Sequence, residues 1–110
     1  MQNIDMTMME IVSFAGVAKS KYIEAISLAK EYKFDLAEKN IEEGSKAFGD
    51  AHKIHSDLIQ KYASGENTEI SLIVLHAEDQ LMSAEMFKIL SNEFIESYKK
   101  IKFLEDKKGE

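Results

Sequence analysis

The chain has 110 residues, 14 basic against 20 acidic, a formal charge of −6, and neither cysteine nor proline. This length gives one domain, residues 1–110, that buries a modest share of its surface when it folds alone, and the acid excess argues against a nucleic-acid binder, whose affinity rests on neutralising phosphates. The missing thiols exclude disulfides and cysteine-based zinc sites; no apolar run reaches the roughly 18–20 residues that cross a bilayer and no basic start marks a signal peptide, so a cytoplasmic protein with no membrane insertion is expected.

Without proline, long helices can run uninterrupted, and three fit the chain. The first is predicted over about 8–31. Thr7 and Glu10 form a capping-box pattern at its start. Ile11, Ala15, Ala18, Tyr22, Ala25 and Ala29 then step alternately by four and three, the spacing of a packed seam.

A hinge at Tyr32-Lys33-Phe34 leads to the second helix, predicted over 35–62 with Asp35 as its cap. Its seam reads Ala37, Ile41, Gly44, Phe48, Ala51, His55, Leu58 and Tyr62. His52 and His55 have the spacing of a ligand pair, but no third ligand is apparent, and both are read as core or rim residues. Ala63-Ser64-Gly65-Glu66-Asn67-Thr68 is the clearest turn, with glycine suited to the left-handed conformation that ends many helices.

The third helix is predicted over 69–104, followed by a charged tail expected to fray. Short connections make consecutive helices antiparallel, giving an all-α, up-down-up three-helix bundle. The third helix is apolar over more than one face: Leu72, Leu75, Met82, Met86 and Ile89 form one sector, and Ile73, Ala77, Ala84 and Phe87 another. One sector suffices to meet the other two helices. The other is expected to meet copies of the same helix in a symmetric homo-oligomer.

Asp79 projects from the middle of the sector assigned to that subunit contact, and no lysine or arginine stands at helical spacing to pair with it in this turn. Three copies meeting on an axis would let three carboxylates share one divalent cation, and hard oxygen ligands completed by water suit Mg²⁺. A carboxylate exposed in a groove, or protonated and buried, is the plainer alternative. His76 lies about 60° around the helix from Asp79, at the edge of the seam. Gln80 and Ser83 lie on nearly the same side, where they can hydrogen-bond the imidazole or a group it carries. Histidine is a competent nucleophile near neutral pH and can hold a transferred group covalently.

Four stretches, "IVSFAGVAKSKYIEAISLAK" (11–30), "AHKIHSDLI" (51–59), "ASGE" (63–66) and "LIVLHAEDQLM" (72–82), resemble in order and spacing the enzyme IIA component of the lactose and cellobiose (including N,N′-diacetylchitobiose) branch of the bacterial phosphoenolpyruvate-dependent sugar phosphotransferase system. The resemblance covers roughly residues 8 to 100. It implies a homotrimer of nine helices with the third helix of each subunit near the axis. It also implies that His76 takes a phosphoryl group from the phosphocarrier protein HPr and passes it to a cysteine of the cognate enzyme IIB, which serves the membrane enzyme IIC. Asp79 of each subunit would bind one shared metal ion, and sugar would not bind to this protein.

The chain departs from the family's usual His-Ala-Gln-Asp-His-Leu-Met by carrying Glu78 for the glutamine and Gln80 for the second histidine, with His55 where glutamine is usual. These changes remove a potentially cationic donor and add a negative charge beside the phosphoryl site, and both disfavour a phosphorylated His76 modestly. The alternative reading is a phosphotransfer-impaired regulatory or scaffolding trimer of the same fold. A metal oxidase of the four-helix type lacks the Glu-x-x-His ligands such sites need.

Overall fold

The computed structural model describes residues 4–66 and 70–109. They form α1 (Ile4–Lys30), α2 (Phe34–Ala63) and α3 (Leu72–Lys108), with no strand among the described residues. The bundle is a rod of 65 × 20 × 19 Å. α1 occupies the middle, because α2 and α3 each pack on it more extensively than on each other.

The predicted seam of α1 is its buried face: Ile11, Ala15, Ala18, Tyr22, Ala25 and Ala29 are all fully buried. Small residues dominate, so the helices approach closely. At Gly44 the space is filled by α1 itself, since a Cβ there would lie 3.0 Å from both Lys21 Cβ and Tyr22 Cε1. Near this level the Tyr22 hydroxyl and Ser45 Oγ are 3.1 Å apart across α1 and α2. Three apolar clusters follow one another along the rod. The one built from Met8, Ile11, Ala51, Leu58, Val74, Ala77 and Leu81 gathers the start of α1, the end of α2 and the start of α3.

Several expected boundaries are corrected. Thr7 lies inside α1, not at its start, because Met8 is buried in the end cluster and helix continues through Ile4. Asp35 lies in the first turn of α2, where its charge complements the helix dipole, while Lys33 holds the cap position without a side-chain bond. The expected start of α3 at Glu69, like Asn67 and Thr68 of the turn, lies outside the described residues; α3 begins at Leu72 after Ser71. The tail stays helical to Lys108, aided by the Lys102–Asp106 pair at 2.6 Å and the Tyr32 hydroxyl donating to Glu105 at 2.7 Å. Tyr62, expected in the seam, is exposed, because it sits in the last turn of α2 past the buried Leu58.

Both inter-helix turns close in the same way. Lys33 N–H donates to the Leu28 carbonyl and Tyr32 N–H to that of Ala29, with Tyr32 at φ 63°. Glu66 N–H donates to Lys61 and Gly65 N–H to Tyr62, with Gly65 at φ 92°. These are Schellman closures, which satisfy the last carbonyls of a helix and need one left-handed residue. Glycine was legible as that residue at 65, whereas at 32 a tyrosine takes the strained conformation, anchored through its hydroxyl on α3.

Candidate functional site

α3 separates its two apolar sectors as the periodicity requires. Ala77 and Ala84 are fully buried against α1 and α2, and Ile73 and Phe87 pack partly buried at the same interface. The other sector faces outward: Leu72 is 84 % exposed, Leu75 58 %, Met82 67 %, Met86 56 % and Ile89 54 %. A row of large apolar side chains at this spacing is the signature of a helix face that meets another helix. Asp79 is exposed in the middle of this row.

His76 is exposed as well. Its ring borders an open depression of about 520 Å³ lined by Leu72, Ile73 and His76. The exposed imidazole is thereby open to an incoming macromolecule. Gln80 and Ser83, both half-buried, share the His76 side of α3, since positions three and four apart on a helix are neighbours. Neither side chain has a hydrogen-bond partner among the described residues, so both remain available to the ring or to a group on it.

Among the described residues of one chain, no three histidine, aspartate or glutamate side chains come together as a metal site. Asp79 therefore has no second and third ligand beside it within the chain, among the described residues. A lone carboxylate per chain fits a hard cation only if several chains converge on it.

One arrangement was not anticipated. His55 Nδ1 on α2 lies 2.7 Å from Glu78 Oε1 on α3, with the two side chains 23 % and 29 % exposed. An ionised carboxylate can only accept, so the His55 N–H is the donor. His52 is exposed and stands with its ring centroid 6.3 Å from that of His55. The sequence shows a histidine in the seam of α2 and an acid beside the apolar stripe of α3, but no register that brings the two together.

The family model for "PTS system, Lactose/Cellobiose specific IIA subunit" matches residues 6–99. The chain belongs to this IIA family of the phosphotransferase system. It is 41 % identical over 91 residues to the lactose-specific EIIA component of Staphylococcus epidermidis, which covers 83 % of this chain and 88 % of that protein. The crystal structure of the cellobiose-specific enzyme IIA from Bacillus anthracis superposes with a TM-score of 0.89 at 36 % identity, covering 93 % of this chain and 94 % of that one. The IIA subunit in the solution structures of the Escherichia coli N,N′-diacetylchitobiose IIA–HPr complex superposes with a TM-score of 0.80 at 26 % identity, covering 93 % of this chain and 99 % of that one. The IIA assignment agrees with the helical bundle and makes the protein a phosphotransferase-system component. Among the described residues, no helix is long and apolar enough to cross a membrane.

Proposed function

We propose that this IIA subunit is a phosphoryl carrier: His76 accepts a phosphoryl group from HPr and hands it to a cysteine of the cognate enzyme IIB, in the uptake of a lactose-, cellobiose- or chitobiose-type sugar. The observation that carries this reading is the exposed imidazole of His76 at the edge of the outward apolar row of α3. That a related IIA forms a complex with HPr supports the choice of donor.

In the proposed step a neutral ring nitrogen of His76 attacks phosphorus in line. The N–P bond to His76 forms as the bond to HPr breaks, and the reverse geometry delivers the group onward. The amide of Gln80 and the hydroxyl of Ser83 hold phosphoryl oxygens or the ring. The apolar row of α3 packs against two copies of itself, giving a trimer of nine helices. The three Asp79 carboxylates would hold one divalent cation, for which Mg²⁺ suits the oxygen donors and which would offset their mutual repulsion. Sugar is left to the membrane component. The silent-scaffold reading rests on Glu78 and Gln80; the Glu78 carboxylate is engaged by His55, which weakens the first of these supports and leaves the second.

Incubation with phosphoenolpyruvate, enzyme I and HPr should label the wild type at one site and leave His76→Ala unlabelled. Labelling that survives this substitution overturns the assignment. Absence of labelling in a folded wild-type trimer returns the scaffold reading.

A further inference from the structure

The proposed phosphoryl step makes no use of the His52–His55 pair on α2 or of the bond from His55 to Glu78 on α3. Positions three apart on a helix are neighbours, and the Glu-x-x-His ligands of metal-binding helical bundles reach one site by this spacing. The two rings have centroids 6.3 Å apart and lie at 52° to each other. Two imidazoles on one tetrahedral ion have centroids roughly 5–6 Å apart, given metal–nitrogen bonds near 2.1 Å. The sequence shows this pair no third ligand, but the fold supplies one. His55 Nδ1 and Glu78 Oε1 stand 2.7 Å apart, and two donors to one zinc ion stand about 3.3 Å apart, so a small parting admits the ion. In their resting positions the three side chains do not converge, and His52 is the one that must move. It is free to do so. His52 is exposed, and among the described residues its ring touches Phe48 and His55 without a polar partner, so it can turn toward Glu78 without disturbing the buried clusters.

We propose that His52, His55 and Glu78 of one chain bind a divalent transition-metal ion of the Zn²⁺ type, with water as the fourth ligand. Two imidazoles and a carboxylate suit zinc, whereas Mg²⁺ takes oxygen donors in a near-ideal octahedron. The proton on His55 Nδ1 moves to Nε2 through solvent, so the neutral ring ligates through Nδ1 and Glu78 stays ionised. The ion spans α2 and α3, the two helices that pack least on each other, and ties them together. All three ligands belong to one chain, so the site depends neither on the trimer nor on the role of His76.

Zn²⁺ titrated calorimetrically into the wild-type protein, with Mg²⁺ in excess to fill oxygen-only sites, should bind at one ion per chain. The melting temperature should rise with it, because the ion binds the folded state. His52→Ala removes an exposed ligand and leaves the His55–Glu78 bond in place, so this variant should keep its fold and its zinc-free melting temperature. Its zinc affinity should fall by at least roughly tenfold, the lower end of what loss of even an outer-shell partner costs. Glu78→Gln should weaken binding in the same way, and His76→Ala should bind zinc as the wild type does. In proton–nitrogen spectra the ring signals of His52 and His55 should move together as Zn²⁺ is added. A wild type that takes up no zinc overturns the proposal, and so does undiminished binding by His52→Ala. Binding lost in His76→Ala also overturns it, since the ion then sits on the outward face of α3; phosphoryl labelling of His76 is unaffected by any of these outcomes.

Discussion

The two apolar faces of α3 are built to different standards. The inner face, Val74, Ala77, Leu81, Ala84, Ser91 and Ile95, is buried and rich in small residues, so that α1 and α2 can come close. The outer face sets Leu72, Leu75, Met82, Met86 and Ile89 in the open, unbranched or γ-branched side chains for the most part, with a carboxylate among them. A helix that needed only to close its own bundle would carry the first face alone. The contrast teaches that apolar periodicity marks both faces alike, while small residues mark the one that closes within the chain.

Damage to each face separately should produce different losses. Leu75→Glu with Met82→Glu places two charges per subunit in the outer row, and native mass is expected to fall from trimer to monomer while helical circular dichroism persists. Ala84→Leu overfills the inner face instead, costing about 1–3 kcal/mol by chemical denaturation while the trimer mass holds. If the doubly charged variant remained a trimer, the outer row would not be the subunit contact.

A smaller effect is expected at the centre of the outer row. On the proposed convergence of three Asp79 carboxylates, a chelator should lower the melting temperature of the wild type, and Mg²⁺ or Mn²⁺ should restore it. Saturation to a hundred times the dissociation constant is worth about 2.7 kcal/mol per trimer. Asp79→Leu should abolish this response, since its side chain joins the surrounding apolar row and binds no cation. Equal responses in both proteins would remove the shared cation, as would the lack of an axial anomalous peak after soaking crystals in Mn²⁺.

The three-helix fold was legible in the sequence. The seams of α1 and α2 could be read because a four-three step leaves little choice of face, and His76 and Asp79 could be placed because the same step fixes their angle. What escaped was of two kinds. Helix ends depend on tertiary burial as much as on caps: Met8 in the end cluster carries helix past Thr7, and no side-chain cap bond forms at Lys33 or Ser71. The His55–Glu78 contact escaped because its partners lie on different helices 23 positions apart, and periodicity along one helix carries no register between two. Tyr32 escaped for a related reason, since its left-handed backbone is supported by Glu105 at the far end of the sequence.

The least disruptive test concerns the packing that the inner face of α3 shares with α1. Tyr22 lies in the same cluster as Ala84 and is fully buried, with its hydroxyl 3.1 Å from Ser45 Oγ. Burial pushes its phenol above the ordinary value of 10.0, and the Ser45 hydrogen bond opposes this only in part. A raised folded value means that the native state keeps its proton after the unfolded chain has begun to lose it. The associated stability is fully present below the unfolded value of about 10 and is lost as pH rises from there through the higher folded value. Tyr22→Phe removes that loss along with the hydrogen bond. Near pH 8 the variant should be weaker by about 0.5–1.5 kcal/mol, and near pH 11 the gap from wild type should narrow. Denaturation at the two pH values measures both terms, and because the other tyrosines are common to both proteins, their ionisation cancels in the difference. A gap that stayed constant with pH would mean that the phenol ionises as readily in the bundle as in the unfolded chain, and that α1, α2 and α3 are less tightly closed around Tyr22 than its burial implies.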